Sequence, residues 1–264
     1  MINTKNYKLF FLLNLILFDM LNAFLFGLLA TSSLVIGGII ATRFSLSKRT
    51  IGIVMGFGAG TLISAISYEL IFEAVQIARK TGYPAFGFFT GAFTFYFADL
   101  IIGKMSSGKS NAAVTTKSAA LIVPMVLAII LDGIPESIVI GLGMSKGGEV
   151  SMAMLVAVFV SNLPEAIAGS SGMKSAGWSN RKVILLWLFI ALVCSFSSVA
   201  GFSLFANTSE LWMSFILAFA GGAILMMLAN SMIPEAYEHG GRYAGVATVL
   251  GFFLAVSMVI LENS

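Results

Sequence analysis

The stretch LDGIPES (Leu131–Ser137) lies inside the long apolar run 117–144, and 29 positions further on SNLPEA (Ser161–Ala166) repeats its proline and its carboxylate. Proline inside a helix removes one backbone hydrogen bond and clashes with the carbonyl four residues earlier. Pro135 therefore frees the carbonyl of Leu131, and Pro164 that of Val160. Freed oxygens are costly in lipid and useful beside a cation. On a helix Asp132 and Glu136 share a face, as do Ser161 and Glu165, with Asn162 three residues before Glu165. Two proline-bearing helices thus bring carboxylate, amide and hydroxyl oxygens to one level. Each buried ionised side chain costs at least a few kcal/mol in a bilayer. Something positive, a metal ion or protons, is expected among them; the bland alternative is protonated or hydrogen-bonded carboxylates that glue helices together.

The composition identifies the solvent. Of the 264 residues 58% are hydrophobic and only 10% charged, and the mean hydropathy is +0.98, values that belong to an integral membrane protein. Stretches long enough to cross a bilayer as helices, about 20 apolar residues each, fall at 24–42, 51–78, 84–103, 117–144, 151–173, 183–205, 211–236 and 242–261. The expectation is an all-α bundle of eight transmembrane helices in a single domain, 1–264, with a short cytoplasmic loop at 104–116. Strands are excluded by length and by the lack of sustained two-residue alternation. The segment 1–23, with YKLFFLLNLILFDML at Tyr7–Leu21, reads as a signal peptide, an extra short helix or an extension of the first span; no small-residue cleavage site follows it, which favours a helix. The lone Cys194 allows neither an intrachain disulfide nor a Cys-rich metal site.

Lysine and arginine orient the spans. With the N-terminus outside, the inner connections carry ten of them and the outer connections five. A ninth span at 7–21 would make that twelve against three without turning the others over. These cations sit in short connections, so the net charge of +3 does not indicate nucleic-acid binding. GFGAGTLISAISYELIFEA (Gly56–Ala74) also lies over AFAGGAILMMLANSMIPEA (Ala218–Ala236) at a constant offset of 162, with identity at Phe57/Phe219, Gly60/Gly222, Ile71/Ile233, Glu73/Glu235 and Ala74/Ala236. These are spans two and seven, which run in opposite directions, the mark of an inverted repeat of the kind transporters use around a midplane site. Chance matching of small apolar residues is the competing explanation.

The paired Pro-Glu helices, the GAG-containing second span that ends in Glu73-Ala74, and IPEA at Ile233–Ala236 resemble the Zrt-, Irt-like (ZIP) divalent-metal transporters, especially their bacterial branch. The resemblance covers nearly all of the chain after residue 24. It implies an inverted-repeat ZIP-like bundle with a one- or two-metal site at the membrane centre, held by Glu136 and Glu165 with Asn162 as a further ligand. Departures accompany the match: Asp132 stands where the family motif has His and Gly133 where it has Asn, while Ser198 and Ser231 stand at two usually acidic positions. No histidine occurs in a central segment. An all-oxygen set suits manganese, magnesium or calcium and also accepts iron or zinc, so a single reduced site preferring harder cations is expected.

Other polar residues receive smaller parts. Glu69 shares a helix face with Glu73 and extends the path from the central site, unless it is an interfacial carboxylate. Asp99 reads as a snorkelling or capping residue, and His239 as an interfacial residue outside the core site, with help at an entrance or exit as its other reading. Gly103–Ser110 fits the phosphate-loop pattern GxxxxGKS, but it leaves a membrane span instead of a strand, so no nucleotide is expected. The chain is thus expected to be a secondary transporter, not an enzyme, that moves divalent metal cations by alternating access in a bacterial plasma membrane. Its metal-site residues would be Asp132, Glu136, Ser161, Asn162, Glu165 and Glu69, with Pro135 and Pro164 as helix breakers. It would hold no resident cofactor, and its partners would be the metal ions and the lipid bilayer. Glycine-rich spans allow close helix contacts within a subunit or across a homodimer. The alternative is a membrane protein of the same fold that has lost transport and acts as a sensor or partner subunit.

Overall fold

The computed structural model describes residues 4–107, 114–145, 150–205 and 208–262, apart from the side chains of residues 4–13 and 105–126, of Ala128 and of Asp132. All the regular structure in these residues is helical. The long helices are α1 (Thr4–Arg43), α2 (Lys48–Ile77), α3 (Tyr83–Ser107), α4 (Val114–Ser145), α5 (Met152–Ser175), α6 (Asn180–Phe205), α7 (Glu210–Gly240) and α8 (Arg242–Glu262). Among the described residues, seven helices, all but α4, are long and apolar enough to cross a membrane. This is a multi-pass integral membrane architecture. Helices satisfy every backbone polar group within the segment, which apolar surroundings demand.

α1 runs unbroken from Thr4 to Arg43, so the basic-apolar segment 7–21 is an extension of the first helix, one of the readings its sequence offered. The expected inner loop needs correction. α3 continues to Ser107 and α4 begins at Val114, so both ends of the loop expected at 104–116 are helical, and 108–113 lie outside the described residues. The first part of the GxxxxGKS stretch, Gly103 to Ser107, is the last turn of a helix, the wrong context for a phosphate loop.

The helices form two groups. α3 packs along α7, and α8 along α2, in the most extensive contacts of the molecule; α1 packs along both α5 and α6, and α4 along α6. Between the groups α2 meets α5 broadly, whereas α4 and α7 touch only slightly. Lipid supplies no hydrophobic drive for helices to associate, so close backbone approach at small residues has to supply it. A side chain on Gly60 would strike the Thr248 carbonyl oxygen across the α2–α8 contact, and one on Gly222 the Phe88 carbonyl oxygen across α7–α3. The contacts are reciprocated, since Gly251 lies on the Phe57 carbonyl and Gly91 on that of Phe219.

α2 and α7 share a further irregularity. α2 is α-helical over Lys48–Ala65 and α7 over Glu210–Met227, and each then widens into a π-helical segment, Ile66–Phe72 and Leu228–Met232. The starts of both helices and of both π segments are displaced by the same 162 residues that align their sequences.

A third anchor ties α1, α5 and α6. The buried Trp187 indole donates to Ser170 Oγ at 2.7 Å and lies over Gly38 and Gly169, where side chains would meet the ring.

Gly60→Val should overpack the α2–α8 crossing and cost about 1–3 kcal/mol, whereas Gly245→Ala, which faces open space on a helix, should be neutral or stabilising by up to about 1 kcal/mol. Thermal unfolding of the two variants in detergent checks the contrast, and equal midpoints would refute it.

Candidate functional site

α4 and α5 carry the two Pro-Glu pairs, and both helices continue through them. No interruption occurs at Pro135 or Pro164, so these residues are not helix breakers. Each still lacks the donor that would serve the carbonyl four residues back. Around Pro164 the side chains are tightly enclosed. Ser161 is 1% exposed and Asn162 3%, Pro164 is buried, and Glu165 is half-buried. On α4, Glu136 is 2% exposed and Pro135 half-buried. A carboxylate so deep in a bundle of apolar helices is the least expected residue of the interior on energetic grounds.

The polar atoms around these carboxylates are unevenly satisfied. Ser161 Oγ donates to the Val158 carbonyl at 3.1 Å, which uses its proton locally and leaves its lone pairs. Asn162 Nδ2 is buried and has no hydrogen-bond partner. The two ends of a side-chain amide exchange by a half-turn, so this position presents either an unmatched donor or an unmatched oxygen. Ser137 Oγ and Ser198 Oγ are also buried without a partner. An unmatched buried polar atom costs about 1–3 kcal/mol and is uncommon. Asp132 sits on α4 one turn before Glu136, and its side chain lies outside the described residues. Among the described residues no three His, Cys, Asp or Glu side chains are grouped so as to hold a metal ion.

Two cavities lie at opposite ends of the bundle. The first, about 230 Å³, opens where α2 and α4 end and α5 and α7 begin; Glu69 and Glu73 face Val139 and Gly143 of α4 and Ser151 of α5 across it. It occupies the gap left by the slight α4–α7 contact. Glu69 falls within the π-helical segment of α2, a distortion common at functional sites. The second cavity, about 320 Å³, lies at the other end, lined by Lys48, Ser171, Ser175, Glu235 and His239. Along α5, at 1.5 Å per residue, Glu165 stands about 16 Å from Met154 of the first cavity and about 4.5 Å from Ala168 of the second.

The structure thus separates the candidate residues. Ser161, Asn162 and Glu165 occupy the middle of α5 and Glu136 the last third of α4, one turn before Val139 and Ile140 of the first cavity, while Glu69 belongs to the wall of that cavity. His239 lines the opposite cavity together with Glu235, outside the central residues. Sequence reasoning missed Glu262. Its Oε1 accepts from the Ala153 amide at 3.1 Å and its Oε2 from the Ser151 hydroxyl at 3.4 Å, beside the first cavity. Ser151 before an apolar run was legible as an N-cap, and it accepts from the Met154 amide at 3.1 Å, but nothing local points to a partner 111 residues away.

No protein-family model matches the chain, and no curated protein matches it.

Ser198→Ala removes a hydroxyl that no hydrogen bond uses and should leave stability unchanged or slightly higher. Ser170→Ala orphans the Trp187 indole N–H and should cost about 1–3 kcal/mol. Unfolding midpoints in detergent distinguish the two, and an equal loss in both would contradict the assignment.

Proposed function

We propose that the chain is a secondary transporter of divalent metal cations of the ZIP type, with eight membrane spans related by an inverted repeat. The observation that carries this reading is the burial of Glu136 and Asn162, with half-buried Glu165, on two proline-bearing helices, of which α5 lines cavities at both ends of the bundle. A carboxylate at that depth is costly unless a cation or a proton compensates it. The coincident α-to-π boundaries of α2 and α7, and the reciprocal glycine contacts at Phe57/Gly251 and Phe219/Gly91, support the repeat. By the charge bias the cavity of Glu69 and Glu73 faces outside and that of Glu235 and His239 inside.

In this mechanism a hydrated cation enters the outer cavity and sheds water as it exchanges onto Glu136 and Glu165. Asn162 and the carbonyls freed by the prolines supply further oxygen, and Asp132 is the remaining candidate on α4. The slight α4–α7 contact leaves room for the outer cavity, while α2 and α5 stay in broad contact along the inner half of α2. Alternating access follows if the groups α1, α4, α5, α6 and α2, α3, α7, α8 shift against each other so that the two contacts exchange roles. An oxygen-dominated site favours manganese or iron(II) over zinc and cadmium. The absence of carboxylates at Ser198 and Ser231 favours one second reading, a sensor or partner subunit that retains the fold without transport.

Purified protein in liposomes should show saturable manganese or iron(II) uptake. Glu136→Ala and Glu165→Ala should each lower it by more than about tenfold without loss of fold. Absence of flux for every divalent metal from folded protein would leave the sensor reading, and much faster zinc and cadmium transport would overturn the ion preference.

A further inference from the structure

We propose that Glu262, at the end of α8, is a latch that holds the mouth of the outer cavity in the open arrangement; the proposal rests on the transport reading for its purpose, but not for its geometry. Glu262 belongs to the α2, α3, α7, α8 group, and its carboxylate is seated on the first turn of α5, which belongs to the other group. The Ala153 amide donates to Oε1 at 3.1 Å and the Ser151 hydroxyl to Oε2 at 3.4 Å. Amides in the first turn of a helix have no intrahelical acceptor and carry the positive end of the helix dipole, so a carboxylate is the natural acceptor there. Here that acceptor comes from a different helix, 109 residues away in sequence.

The position gives the bond its consequence. Ser151 lines the outer cavity, and Glu69 in its wall interacts with both Ser151 and Glu262. Ser151 is therefore the point at which the pathway wall and the link between groups meet. Glu262 itself is solvent-exposed, so the bond is weak enough to open and close. A movement that carries α5 past α8 must break this bond, whereas contacts inside either group survive it. The latch stabilises the arrangement with the outer cavity open, and its loss shifts the population toward the arrangement in which that cavity is closed.

The test uses Gly143→Cys as a reporter. Gly143 lines the cavity, is exposed, and has open space where a side chain would stand, whereas the native Cys194 is fully buried. The labelling rate of this cysteine by a membrane-impermeant thiol reagent in proteoliposomes reads the open population. Glu262→Ala should lower that rate by about two- to fivefold, the size expected for a carboxylate at an exposed helix N-terminus. Glu262→Gln, which retains an acceptor without the charge, should fall between. Glu210→Ala, an exposed carboxylate in the first turn of α7 at the same end, should leave the rate unchanged. Equal labelling in Glu262→Ala and its parent, with both folded by thermal unfolding, overturns the latch. A labelling shift in protein that carries no metal supports the latch while the transport reading fails; metal flux with unchanged labelling does the reverse.

Discussion

Backbone laid directly against backbone is the contact on which this bundle depends. Apolar side chains gain little by leaving lipid for protein, so helices are held by dispersion over whatever area they bring close together. At Gly60 on Thr248 and Gly222 on Phe88 the absent side chains let the helix axes approach, and Gly251 and Gly91 return the same contact to Phe57 and Phe219. The four crossings bind α2 to α8 and α7 to α3. The other group uses the same device where Gly141 meets the Ser198 carbonyl and Gly201 that of Ile138, between α4 and α6. Tight packing within each group and looser packing between them is what a molecule needs if its two halves are to move as units.

That arrangement also creates the setting for the carboxylates. Helices that approach closely leave no water, so Glu136 and Asn162 are enclosed, and Asn162 Nδ2 finds no partner. Low polarity strengthens any charge-compensating interaction and raises the cost of lacking one. Asn162 Nδ2 and Ser198 Oγ thus stay unmatched inside the bundle, which structural glue alone does not explain.

Much of the architecture was legible because the bilayer imposes a length and a polarity on each segment. The eight apolar stretches read from the chain each coincide with a long helix, and most boundaries agree to within a few residues. The depth of Glu136 and Asn162 was legible from their place in the middle of apolar runs. The prolines misled: a missing donor weakens a helix locally, but the surrounding apolar medium gives the backbone no better option than to remain helical, so α5 passes through Pro164 intact. The π segments at Ile66 and Leu228 were hidden, since one extra residue in a turn leaves no mark on hydropathy. Glu262 was hidden for another reason, because its acceptor role is fixed by the approach of α8 to α5, which no local pattern encodes.

The paired irregularities of α2 and α7 bear on why two similar helices end in different surroundings. Both widen at equivalent points, yet the π segment of α2 carries Glu69 into an open cavity, whereas the equivalent position in α7, Ser231, is an exposed hydroxyl. Ser214 Oγ donates to the Ala74 carbonyl at 2.7 Å, which fastens the start of α7 to the end of α2 beside the outer cavity. At the opposite end, Glu235 and His239 beyond the α7 π segment face Lys48. Related backbones thus carry different chemistry at the two ends: carboxylates at one, and a carboxylate, an imidazole and an ammonium at the other. If the halves exchange their contacts as proposed, a cation would meet the all-acidic mouth first and the mixed one last, an order in which the local attraction for it falls along the path.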